Sequence, residues 1–172
     1  MVGLPDTEGA QSANGLDVFD RTLHTTNGWL KEISEDLEID RHAAWKVLSV
    51  VLHKLRDRLP VDLSAHLGSQ LPLLVRGVYY DQYQPARQPS RCHGLEAFTE
   101  EVGEWLTDAT PIDPERAIRS VFGVLSRHLA AGQVAKVRAN LPKSLRLAWS
   151  EQAPPRRRPA RADEAAALAT GI

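Results

Sequence analysis

Apolar residues recur three and four positions apart along most of the chain, and no stretch alternates with period two over the length of a strand. A chain patterned this way buries its apolar surface by packing helix against helix, which predicts an all-α fold. Phe19, Leu23, Leu30, Ile33 and Leu37 form the first stripe, with Asn27-Gly28 as a candidate break inside it. Asp40 is placed to cap a second helix carrying Ala44, Val47, Leu48, Val51, Leu52, Leu55 and Leu59, and Pro60 is expected to end it. Asp62 is expected to cap a short helix containing Leu63 and Leu67. Pro72 suits the first turn of another, whose apolar positions are Leu74, Val75, Val78 and Tyr79.

Residues 81–93, with Pro85 and Pro89, read as a loop. Helical spacing resumes at Leu95, Phe98, Val102, Trp105 and Leu106. Asp113-Pro114 is a capping residue followed by a proline at the first helical position, a strong start for the stripe Ile118, Val121, Phe122, Leu125 and Leu129. A break near Gly132 precedes Val134 and Val137, and Pro142 opens a last short helix through Trp149.

The second half repeats the first. Ile39-Asp40 corresponds to Ile112-Asp113, and Val51-Leu52 to Val124-Leu125, at a constant offset. Three residues are then lost at the turn. Beyond it, Leu59 falls on Leu129, Leu71-Pro72 on Leu141-Pro142, Arg76 on Arg146 and Tyr79 on Trp149. Each unit reads as two long helices and two short ones. Two such units bury their stripes best against each other, which predicts a compact helical bundle of two tandem four-helix units with approximate twofold symmetry. The expected organisation is a disordered leader over 1–15, one all-α domain over 16–149 and a disordered Pro/Arg-rich tail over 150–172. Within the domain, repeat one spans 16–83, a loop 84–93 and repeat two 94–149.

The run HLGSQLPLLVRGVYYDQYQPA at 66–86, following VLHKLRDRLP at 51–60, resembles the bacterial family known as domain of unknown function 2267. The stretch VFGVLSRHLAAGQVAKVRANLPKSLRLAW at 121–149 is similar to the second half of the same domain. The resemblance covers roughly residues 18–150. It implies an all-helical fold and a bacterial source, and it carries over no catalytic residue and no activity.

Nothing in the residues themselves nominates a reaction. The six histidines include no pair at i, i+4 spacing, no Glu-x-x-His occurs, and there is no phosphate loop or nucleophile elbow. The Glu96, Glu100, Glu104 row reads as an acidic helix face, not a cation site. The expectation is a non-enzymatic interaction or scaffold module with no cofactor and no bound metal. With no apolar run long enough to span a bilayer, no secretory signal and a single cysteine, Cys92, a cytoplasmic location is expected.

Charge supplies the remaining signal. Residues 1–115 hold 10 Lys/Arg and 19 Asp/Glu, whereas residues 116–172 hold 11 Lys/Arg and 3 Asp/Glu. Two readings stay open: the halves complement each other within one molecule or between copies, as in a homo-oligomer, or the basic half binds nucleic acid or another polyanion. The candidate interaction residues are the polar-aromatic group Arg76, Tyr80 and Tyr83, the helical cations Lys136 and Arg138, and the tail arginines Arg156, Arg157 and Arg158.

Overall fold

Asp40 and Asp113 each hold the start of a helix. The Asp40 carboxylate accepts from the Ala43 amide at 2.8 Å, and the Asp113 carboxylate accepts from the Glu115 amide at 3.1 Å, satisfying donors that a helix start otherwise leaves open. The computed structural model describes residues 17–90, 94–107 and 111–150. The expectations for the leader and the tail, and the single cysteine Cys92, fall outside those residues.

Among the described residues the elements are α1 (Asp17–Leu37), α2 (Arg41–Arg56), α3 (Val61–Gln70), α4 (Leu73–Tyr80), α5 (Leu95–Leu106), α6 (Pro114–His128), α7 (Ala131–Ala139) and α8 (Lys143–Ser150), with one 3₁₀ turn at Pro85–Arg87. The fold is all-α, as the periodicity predicts. Helices α2 and α6 pack against each other at the centre. In the first half α1 and α4 lie on α2, and in the second α5 and α8 lie on α6. The halves are laced together because α1 also packs on α6, α5 on α2 and α3 on α7. One continuous core results, running from Trp29 and Ile33 through Leu48, Leu52 and Leu55 to Phe98, Phe122 and Leu145.

Several local expectations need correction. Asn27-Gly28 does not break α1, which runs unbroken from Asp17 to Leu37 with Gly28 facing open space. Its buried face is Thr22, Thr26, Trp29 and Ile33, so Phe19 and Leu23 stand 55% and 49% exposed on the adjoining face. Trp105 is likewise 55% exposed at the end of α5. Leu74 in α4 also faces outward, leaving Val75 and Tyr79 as the buried pair.

Pro60 lies about a turn beyond the helix it is expected to end, whereas Pro114 stands at the first position of α6 as expected. Helix α2 stops at Arg56, before Pro60, because Arg58 and Leu59 donate to Leu55 and Arg56 in tight turns. Pro60 and Pro72 stand at the cap positions of α3 and α4, and neither helix has a side-chain cap of its own. Asp62 therefore lies in the first turn of α3 and does not cap it. The start of α4 is served instead by α1, whose Thr22 hydroxyl accepts from the Leu74 amide at 3.4 Å. The start of α5 is served by α8 in the same manner, the Ser144 hydroxyl accepting from the Leu95 amide at 3.0 Å.

Arg56 is the polar residue on which the first half closes. Only 3% exposed, it donates through Nη1 to the Tyr79 carbonyl at 2.5 Å and the Asp81 carbonyl at 3.0 Å, tying the end of α2 to the end of α4. Its own carbonyl accepts from the Ser64 hydroxyl at 3.0 Å and from the Gln88 amide, which brings the loop after α4 onto the same point. Removing the guanidinium strands two carbonyls that depend on it. Arg56→Ala is expected to lower the unfolding free energy by about 3 kcal/mol in urea titrations, with Arg56→Lys recovering only part because one ammonium lacks the planar fork.

Candidate functional site

Of Arg76, Tyr80 and Tyr83, grouped by sequence, the two tyrosines lie ring beside ring, and Arg76 and Tyr83 are each tied inward. The Arg76 guanidinium donates to the Ser69 carbonyl at 2.8 Å and the Leu71 carbonyl at 3.1 Å, closing the end of α3. Tyr79 is buried and donates to the Ser64 carbonyl at 2.9 Å, and burial pushes its phenol well above the ordinary range. Tyr80 meets Tyr79 edge-on at 5.1 Å and Tyr83 at 5.6 Å. Its hydroxyl lies so near Gly68 that a Cβ there would overlap it. Tyr83 donates to Gln88 at 2.5 Å and presents its ring to Arg56 at 4.9 Å. The group thus joins α3, α4 and the following loop to the Arg56 network, and only Tyr80 keeps substantial exposure.

The helical cations are arranged differently. Lys136 is exposed, and Arg138 is half-buried against the Ser150 hydroxyl. Lys143 and Arg146 on α8 are exposed, and neither has a carboxylate partner among the described residues. Residues 116–150 contain no Asp or Glu, so α7 and α8 present a surface of one sign. Leu147, 50% exposed, lies among these cations. Arg156, Arg157 and Arg158 lie outside the described residues.

A second outward-facing group occupies the opposite end of the charge scale. Val18, Phe19 and Leu23 are exposed on the first turns of α1, beside Asp17 and Asp20. Leu73 and Leu74 are exposed at the start of α4, which the Thr22–Leu74 hydrogen bond holds against α1. Contiguous exposed apolar side chains of this kind mark surfaces with a partner more often than isolated ones do.

Charge pairing between the halves is partly internal. Glu32 on α1 accepts from Arg127 Nε at 2.7 Å and from His128 Nε2 at 2.6 Å, both at the end of α6. Burial works against the charged carboxylate, but the hydrogen bonds and positive charges of His128 and Arg127 outweigh it and hold Glu32 below its ordinary value of 4.5. Arg116 donates to the Asp36 carbonyl at 3.0 Å, closing the last turn of α1. In the reverse sense, Arg58 of the first half is buried, lies over Phe98 at 4.6 Å and donates to Glu101 at 2.7 Å.

Periodicity does not reveal Arg56, Arg58 or Glu32. The only trace is the crowding of LRDRLP, where two arginines sit between leucines that must both be buried. Among the described residues no three His, Cys, Asp or Glu side chains converge as metal ligands, and no helix is long and apolar enough to cross a membrane.

The sequence from 26 to 148 matches the family of uncharacterized conserved proteins DUF2267, which takes in most of the chain, with α2 to α7 whole and α1 and α8 in part. The chain belongs to this family. No curated protein matches the sequence. The DUF2267 match begins within α1 and ends in α8, so the Arg56 network, the Glu32 bridge and the central pair α2 and α6 all lie inside the family's domain, whereas Phe19 and Leu23 precede it.

The Glu32 bridge makes a pH-dependent contribution of defined sign. A carboxyl with a depressed folded value stabilises fully above its ordinary value, and that stabilisation is lost as pH falls through the folded value. Glu32→Gln is therefore expected to unfold at lower urea concentration than wild type at neutral pH, with the gap closing below pH 4.5. A gap that widens on acidification would contradict the assignment.

Proposed function

We propose that the chain is a non-enzymatic interaction module that self-associates head to tail, the acidic apolar end of α1 docking on the basic face of α8 in a second copy. One observation carries the reading: two exposed helix faces each set apolar side chains beside charges, and those charges are opposite in sign. On α1, Phe19 and Leu23 stand beside Asp17 and Asp20; on α8, Leu147 stands with Lys143 and Arg146. An apolar centre within a charged rim is the usual anatomy of a protein interface. Two different patches give a heterologous contact, which propagates into rings or short chains instead of closing as a twofold dimer.

Light scattering across a protein-concentration and salt series tests this. Mass is expected to rise with concentration at low salt and to return toward the monomer as salt screens the rims. Asp17→Lys with Asp20→Lys should abolish the rise, and so should Lys143→Asp with Arg146→Asp. An equimolar mixture of the two double variants should restore association, as rings or chains in which the two variants alternate. A monomer at every ionic strength, or a mixture that fails to associate, overturns the proposal.

The acid-free stretch from 116 to 150 favours a second reading, in which the same basic face and the arginine tail hold a polyanion such as nucleic acid. Fluorescence anisotropy with labelled DNA should then show binding that weakens steeply with salt, with a shallower salt slope once residues 151–172 are removed. Absence of binding at low salt removes this reading and leaves the first intact.

A further inference from the structure

A cleft of about 270 Å³ opens between the N-terminal half of α1, the α3–α4 turn and His128 at the end of α6. Three of its features point to a ligand. The Arg21 guanidinium on its rim has no carboxylate partner among the described residues. Trp29, 2% exposed, lines the cleft, and its buried indole N–H has no acceptor among the described residues. One wall, from Leu71 to Leu73, is apolar. Buried donors are nearly always paired, so an unpaired one in a residue that lines a cleft calls for an acceptor from beyond the described residues.

The second half lacks this arrangement. Extending the register that aligns Ile39 with Ile112 places Thr22 on Leu95, Thr25 on Phe98 and Trp29 on Val102. The register beyond the turn places Arg58 on His128. In the second half Phe98 is fully buried, and the Arg58 guanidinium lies over its ring at 4.6 Å while donating to Glu101 and to the Lys54 carbonyl. A large ring and a long cation fill the place that two threonines and a shorter imidazole leave open beside α1. Packing of the helices therefore does not demand the cleft.

We propose that this cleft binds a small organic carboxylate. Arg21 takes the carboxylate, the Trp29 indole N–H donates to one of its oxygens, and the apolar body rests on Leu71, Pro72 and Leu73. A guanidinium and a neutral donor suit a planar monoanion. The Glu32 carboxylate, which already occupies His128 Nε2, disfavours a more highly charged ligand such as a phosphate dianion. The volume falls below the ~300–1,000 Å³ of sites for drug-sized ligands, which limits the body to a short chain or a single ring.

The test follows the Trp29 indole resonance, assigned with Trp29→Phe, in proton–nitrogen correlation spectra of the full chain titrated with benzoate or hexanoate. The resonance should shift saturably with the acids and about tenfold more weakly with the matching neutral amides. Arg21→Ala, at an exposed position, should weaken the acids to the level of the amides. Thr25→Phe, which gives the cleft the side chain found at Phe98, should abolish the shift while the helical circular dichroism is retained. No saturable shift with either acid overturns the proposal. So does equal response to acids and amides, or unchanged binding by Arg21→Ala. Self-association plays no part in these readouts, so either proposal can fail without the other.

Discussion

Helices α2 and α6 are buried on more than one side, and the rest of the molecule is arranged to cover them. Ala44, Val47, Leu48, Val51, Leu52 and Leu55 on one, and Ile118, Val121, Phe122, Val124 and Leu125 on the other, are removed from water completely. At about 25 cal/mol per Å² of apolar surface, leaving any such face uncovered would be prohibitive for a small domain. Each central helix therefore needs a long neighbour from its own half, a long neighbour from the other half, and a short helix to close the end. Those requirements account for the contacts of α1, α4, α5 and α8.

Covering an apolar pair with short helices creates a polar difficulty at their ends. An eight- or ten-residue helix has a large share of its backbone groups unpaired, and α3, α4 and α7 have no side-chain cap at their starts. The structure answers with side chains from elsewhere. Thr22 and Ser144 serve the starts of α4 and α5, Arg76 serves the end of α3, and Arg56 serves the end of α4. The buried arginines are thus part of helix termination, and the polar interior follows from the choice of short helices around an apolar centre.

This division explains what could be read from the sequence. Helix existence, order and the two aspartate caps were legible because they depend on local spacing and on one side chain reaching a nearby amide. The faces of α1 and α5 were not. Phe19, Leu23 and Trp105 fit the apolar stripe, but whether a stripe position is covered depends on how far a neighbour extends, which spacing does not encode. Pro60 lies a turn past the end of α2 because a helix end and the cap before a new helix tolerate proline equally. The Arg56 network escaped because its acceptors, the carbonyls of Tyr79 and Asp81, carry no residue signature. Of the residues singled out for interaction, Arg76 and Tyr83 are distinctive in their chemistry, and that chemistry is spent inside the fold. The cleft beside Trp29 was invisible to spacing altogether, since it arises where threonine and histidine stand in place of larger side chains.

The bridge from Glu32 to Arg127 joins residues 95 positions apart in the chain. Closing a loop of that length is entropically unfavourable until intervening helices have condensed, so such a contact belongs to the late side of the folding barrier. An interaction absent from the transition state has little effect on the rate of folding and a direct effect on the rate of unfolding. The bridge, with the Arg116–Asp36 bond beside it, thus acts as a latch: it governs how long the two halves stay closed once they have met, more than how quickly they find each other.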